Sequence, residues 1–275
     1  FPTRRSSDLK AERRYAGVSH IDVDNTSHGY VEHIKEISSR TGVAISALAY
    51  YPNTMDSNLE KREAAIAHLK KVICFSQKLG VGLVTTFIGR EQTKSVEENL
   101  ETFRQVWPPI IRYAEEHDVK IAVENCPMLF GPEQWPGGQN LFTTPALWRT
   151  LFDIIPSRNF GINYDPSHFV WQMMDYIQPI YEFSDRIFHV HYKDIKVYPW
   201  KLARVGTMAY PLEYMAPKLP GLGDVDWGRY VSALTDIGYD GFTCVEVEDR
   251  AFETDRERIL DSLRLSKRYI EQFVQ

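Results

Sequence analysis

The stretch GINYDPSHFVW, residues 161–171, decides how this chain is read. It begins as a buried strand, with Ile162 and Tyr164 alternating against Gly161 and Asn163. It then sets Asp165, Pro166, Ser167 and His168 where the strand should stop. Asp-Pro-Ser is good turn chemistry. A carboxylate and an imidazole three residues apart at a strand mouth also suit a metal or proton-transfer site. The segment alone does not choose between the two, so the flanking sequence has to.

Working outward, strand and helix patterns alternate. Short apolar runs at 43–50, 81–89, 119–125, 159–165, 186–194 and 241–249 read as strands. Helical patterns fall at 57–79, 95–117, 145–155, 175–184, 227–237 and 253–273. Pro108-Pro109 is expected to interrupt or kink the second of these helices. Thr144 and Asp226 are expected caps, with Pro145 at a first helical position. Strands that alternate with helices and read as continuous apolar runs predict a parallel sheet covered on both faces. No GxGxxG follows the early strands, so a dinucleotide fold lacks support. A (β/α)8 TIM barrel is the better reading, with two of its strands missing from the pattern. Residues 195–224 carry no secondary-structure signal and are rich in Tyr, Trp, Met and Pro. They are expected to form a long lid or substrate-covering loop.

The chain has 275 residues, 43% of them hydrophobic, and a net charge of −5, enough for a full core and poor in the basic surface that nucleic acid requires. No apolar run approaches the roughly 18 residues of a membrane span. Cys74, Cys126 and Cys244 are an odd number, widely spaced in apolar settings, and read as reduced thiols of a cytoplasmic protein. Residues 1–9, FPTRRSSDL, are what a common short-read sequencing adapter encodes in one frame. They are read as a non-native leader, with residues 10–275 forming the domain.

Four consecutive strands end in polar residues: Glu124 and Asn125; Asp165 and His168; His189, His191, Lys193 and Asp194; Glu246 and Glu248. Alternation puts His189 with His191, and Glu246 with Glu248, on one face. In a barrel, strand C-termini converge on one mouth. One carboxylate from each of three strands and one imidazole would then meet there. Gathering carboxylates in a partly dry site is unfavourable unless a cation cancels their charge. Oxygen-rich ligands with one imidazole suit Mn2+, Mg2+ or Co2+ better than thiolate-loving metals. The absence of a GxSxG elbow argues against serine hydrolysis.

The motifs VENC, NYDPSH, HVHYKD, PGLGDVDW and VEVED resemble those of the sugar phosphate isomerase/epimerase family, a xylose isomerase-like barrel group that includes inosose dehydratases and ketose 3-epimerases. The resemblance covers the chain from Lys10 onward. It implies a (β/α)8 barrel binding one divalent metal, Mn2+ first, with Mg2+, Co2+ or Zn2+ as alternatives. It assigns Glu124, Asp165, His191 and Glu246 as metal ligands, and Glu124 with Glu246 as the acid/base pair. It places His168, Lys193, Asn125 and His189 against the substrate; for Lys193 an ion pair with Asp194 is the structural alternative. Relatives carry a strand, helix and strand before the segment KAERRYAG, so the six strands correspond to strands three to eight of an N-terminally truncated barrel. A barrel so shortened would expose sheet edges and could lack activity by itself.

The implied function is an isomerase or epimerase that moves a proton next to a carbonyl of a sugar or cyclitol through an enediolate. The alternative is a lyase of the same barrel, an inosose-type dehydratase or a 3-keto-glycoside β-eliminase. An apurinic endonuclease shares the barrel but fits poorly with an acidic chain. The expected partners are a small sugar or cyclitol and, for the parent protein, further copies of itself, without nucleic acid or membrane.

Overall fold

Residues 20–129 and 131–273 are described by the structure, a computed structural model. The leader reading at residues 1–9 lies outside them. The described chain divides into two units, 20–129 with 137–163, and 131–136 with 164–273.

The first unit repeats a helix–strand unit. It runs α1 (His28–Thr41), β1 (Leu48–Ala49), α2 (Leu59–Leu79), β2 (Leu83–Thr86), α3 (Val96–Glu116), β3 (Lys120–Glu124), α4 (Pro145–Ile154) and β4 (Phe160–Tyr164). β1 pairs with β2, β2 with β3 and β3 with β4, all parallel. Every residue of β2 and β4 is buried, as expected for strands covered on both faces. Phe160 of β4 sits among the rings of Phe103, Trp107, Phe142 and Phe152, with centroids 5.2–6.2 Å away. That aromatic layer ties α3 and α4 to the sheet.

The second unit carries α5 (Ser167–Val170), α6 (Gln178–Glu182), β5 (Ile187–Tyr192), β6 (Asp194–Val197), α7 (Pro199–Val205), β7 (Met215–Lys218), α8 (Trp227–Asp236), β8 (Thr243–Val245) and α9 (Arg256–Ile270). β5 pairs in parallel with β8. The first unit thus orders its parallel strands β1-β2-β3-β4 and the second sets β5 beside β8, in a TIM-barrel-like α/β fold.

Several expectations need correction. α3 runs from Val96 to Glu116 without interruption at Pro108-Pro109. The carbonyls those prolines leave without an amide belong to Arg104 and Gln105, which are exposed to water, while Trp107, Ile110 and Ile111 hold the helix to the core. The first strand shrinks from 43–50 to two residues, because among 43–50 only Leu48 is buried. The helix expected at 175–184 shortens to Gln178–Glu182, entered through a turn in which Asp175 Oδ1 accepts from the Ile177 amide at 2.7 Å. α1, with its left-handed Gly42 cap, lay in a segment that carried no expectation.

The largest correction concerns residues 195–224. They are not a signal-free loop: β6 pairs antiparallel with β7, and α7 lies between them. The base of this insertion is fixed by Asp194. Its Oδ1 accepts from the amides of Ile195 (2.8 Å) and Val225 (3.0 Å). Its Oδ2 accepts from the Gly221 amide and the Trp227 indole, each at 2.9 Å. Gly223 is tied to this arrangement, since a Cβ there would lie 2.1 Å from Asp194 Oδ1. Burial, set against these four donors, pushes the Asp194 carboxyl above the ordinary carboxylate range. Replacing Asp194 by Ala strands four donors and is expected to cost about 3 kcal/mol or more. Urea unfolding of Asp194→Ala measures it; a loss under about 1 kcal/mol would show that the carboxylate does not hold the insertion.

Candidate metal centre

The main segment of the second unit begins at Tyr164, the last residue of β4, and leads through Asp165 into α5. The Asp165 Oδ1 accepts from the Ser167 amide at 2.8 Å, a local turn that fixes the carboxylate and leaves Oδ2 for other partners. One helical turn on, His168 places Nε2 3.2 Å from Asp165 Oδ2. Trp171 Nε1 reaches toward His168 Nδ1 at 3.5 Å, and Gln172 Nε2 donates to the His168 carbonyl at 2.6 Å. The turn expected of this segment is present, and it sets the Asp165 carboxylate beside the His168 imidazole.

β5 contributes by alternation. His189 and His191 share a face, their rings 5.7 Å apart and nearly perpendicular. Both are buried, as is Lys193 beyond the strand end. β8 lies in register with β5, His191 opposite Cys244, and the Glu246 amide donates to the Tyr192 carbonyl at 3.2 Å. That bond carries Glu246 alongside β5, where its Oε1 lies 3.5 Å from His191 Nδ1.

Lys193 is the hub. Its ammonium is 3.0 Å from Asp165 Oδ2, 2.9 Å from Glu246 Oε2, 3.8 Å from Glu248 Oε2 and 3.2 Å from His168 Nε2. Lys193 and its neighbour Asp194 serve different networks, Lys193 the carboxylates of the site and Asp194 the donors of the insertion. Burial opposes ionisation of Asp165. The charges of Lys193, then of His168 and His191, outweigh it and hold the carboxyl well below the ordinary range.

Asp165, His191 and Glu246 each offer an atom within 4.8 Å of the others, so a divalent-metal-binding site of His, Glu and Asp residues is present. Its oxygen-rich donor set with one imidazole suits a hard or borderline cation rather than a thiolate-loving one.

In the first unit, Glu124 and Asn125 stand at the end of β3, both fully buried. Glu124 pairs in register with Asn163 of β4, two residues before Asp165 in the chain. Asn140 was not anticipated. Its Nδ2 donates to the carbonyls of Glu124 and Cys126, each at 2.8 Å, and its Oδ1 accepts from the amides of Ile88 and Phe142, each at 3.2 Å. One buried side-chain amide thereby fixes the path of the chain on either side of Asn125. Nothing in the surrounding sequence QNLF marks it for that role.

The chain matches the family described as xylose isomerase-like TIM barrel over residues 11–269. It is 29% identical over 153 residues to the uncharacterized protein YfiH of Bacillus subtilis, covering 52% of this chain and 45% of that protein. It is 28% identical over 113 residues to an inosose dehydratase of Geobacillus thermodenitrificans, covering 40% of this chain and 38% of that enzyme. The chain thus spans less than half the length of each of these curated relatives. Among solved structures, that of the IOLI protein with a zinc atom superposes with a TM-score of 0.65 at 19% identity, covering 88% of this chain and 83% of that one. The match across nearly the whole sequence makes the chain a member of the xylose isomerase-like TIM barrel family.

Proposed function

We propose that this protein catalyses metal-dependent proton abstraction next to the carbonyl of a neutral polyhydroxy ketone, a sugar or cyclitol, and completes the reaction by dehydration. The observation that carries this reading is the convergence of Asp165, His191 and Glu246 beside the Lys193–His168 pair. The inosose dehydratases among the relatives support elimination as the outcome. Glu124 is proposed as the fourth ligand beside Asp165, His191 and Glu246. Mn2+ is the proposed metal, chosen for the oxygen-rich donor set. When bound, such an ion supplies Lewis-acid stabilisation of the negative charge that enolisation places on the substrate oxygens.

The remaining work falls to side chains. Glu246 keeps 14% of its side chain exposed and can meet a substrate C–H, whereas Glu124 is fully buried. Glu246 is therefore proposed as the base. His168, with Lys193 3.2 Å from its Nε2, is positioned to give a proton to a departing hydroxyl, and Lys193 to hold an adjacent oxygen. Asn125 and His189 are proposed to bind substrate hydroxyls. The alternative outcome, epimerisation, uses the same first step and returns the proton from Glu124 in place of expelling water. The two carboxylates available as an acid/base pair are what favours it. No helix among the described residues is long and apolar enough to cross a membrane. The three free cysteines fit a reducing compartment, and we propose a cytoplasmic location.

Four predictions follow from these assignments. Added Mn2+ raises the melting temperature of the chelator-stripped protein, by an amount equivalent to about 2.7 kcal/mol at a hundredfold excess over Kd. Asp165→Asn weakens Mn2+ binding at least about tenfold by calorimetry; unchanged affinity would remove Asp165 from the ligand set. Incubation with candidate cyclitol ketones in D2O yields an unsaturated ketone in step with loss of the α C–H signal, seen by NMR. Exchange with inversion and no new double bond would instead establish the epimerase outcome. Glu246→Gln, assayed at a Mn2+ concentration that saturates the variant, should lose turnover at least about 100-fold, while full activity would exclude it as the base.

A further inference from the structure

We infer that Lys193 is the built-in counter-ion of the site's carboxylates, and that a divalent cation binds by taking Asp165 and Glu246 from it; this inference rests on the metal-site reading above. Only 4% of the Lys193 side chain is exposed, and lysine is rarely buried so deeply without paired charge. Two of its acceptors, Asp165 Oδ2 at 3.0 Å and Glu246 Oε2 at 2.9 Å, belong to residues of the metal-binding cluster. The ammonium and a cation therefore draw on the same carboxylates and repel each other across a short, poorly screened distance.

The structure also provides a second place for the ammonium. Glu248 Oε2 lies 3.8 Å from Nζ and His168 Nε2 lies 3.2 Å from it, and neither residue belongs to the cluster of Asp165, His191 and Glu246. Leaving Asp165 and Glu246, the ammonium would keep its place beside His168 and close on Glu248. The consequence is a division of states. Without metal, Lys193 neutralises carboxylates that would otherwise repel in a buried place. With metal, it turns toward Glu248 and His168, where a substrate oxygen is to be held. Lys193 thus sets metal affinity as a positioning residue, limiting it in exchange for a stable metal-free chain.

The test uses the full chain, stripped with chelator, as wild type, Lys193→Met and Lys193→Gln. Mn2+ binding is measured by calorimetry and stability by circular dichroism. Both variants are expected to bind Mn2+ at least tenfold more tightly than wild type. Both are expected to melt lower without metal, with the gap to wild type closing when Mn2+ is added. A variant that folds only on addition of Mn2+ supports the inference equally. Glu248→Gln, which weakens the second place for the ammonium, is expected to bind Mn2+ less tightly. Equal or weaker Mn2+ binding by both lysine variants overturns the inference while leaving the metal site standing. Failure of both to fold with or without Mn2+ also overturns it, because the lysine is then a structural strut. Absence of Mn2+ binding by wild type and variants alike overturns the metal-site reading itself, and the inference with it.

Discussion

Buried carboxylates demand a cation, and the centre of the second unit is built around that demand. Asp165 is fully buried and Glu246 largely so, yet a single ammonium, that of Lys193, stands within 3.0 Å of both. An uncompensated carboxylate in such a place costs several kcal/mol, about 3–5 when one partner of a buried pair is removed. The depressed pKa of Asp165 expresses the same balance, with neighbouring positive charge outweighing the burial. A site arranged to hold cationic charge against two carboxylates and an imidazole is chemically prepared for a divalent ion. It is also prepared for a reaction in which negative charge appears on substrate oxygens.

Rigid surroundings make this balance specific. Asp165 is held by its own turn, His191 by its place in β5, and Glu246 by the amide bond to Tyr192 that continues the β5–β8 ladder. The chain then changes role within one residue. Lys193 faces the carboxylates, while Asp194 gathers four donors from the insertion and from the first turn of α8. The insertion that carries exposed Trp200 and Met208 is thereby anchored one residue from the proposed reaction centre.

The site was more legible in the sequence than the scaffold details were. Polar groups that end apolar strands marked Glu124, Asp165, His168, His189, His191, Glu246 and Glu248 as one set, and the family resemblance chose the expected ligands among them. Alternation then showed which of His189, His191, Glu246 and Glu248 share a face. The parallel α/β arrangement followed from strands such as β2 and β4 that are apolar throughout. Other features rest on contacts that linear patterns do not encode. Asn140 acts on Glu124 from 16 residues away, and Asp194 acts on Val225 from 31. The β6–β7 hairpin was hidden for the same reason, its pairing being set by Asp194 and not by an apolar alternation of its own. Pro108 and Pro109 misled because a local rule about amides was outweighed by the packing of Trp107, Ile110 and Ile111.

The central claim is that Asp165, His191 and Glu246 form a divalent-metal centre. Anomalous diffraction at the manganese edge, from crystals grown with Mn2+, tests it most directly. The account predicts one strong peak about 2.0–2.3 Å from a ligand atom of each of these residues, with the Lys193 ammonium moved off Asp165. A crystal that binds Mn2+ only elsewhere, or keeps the lysine between Asp165 and Glu246 at saturating Mn2+, would contradict it.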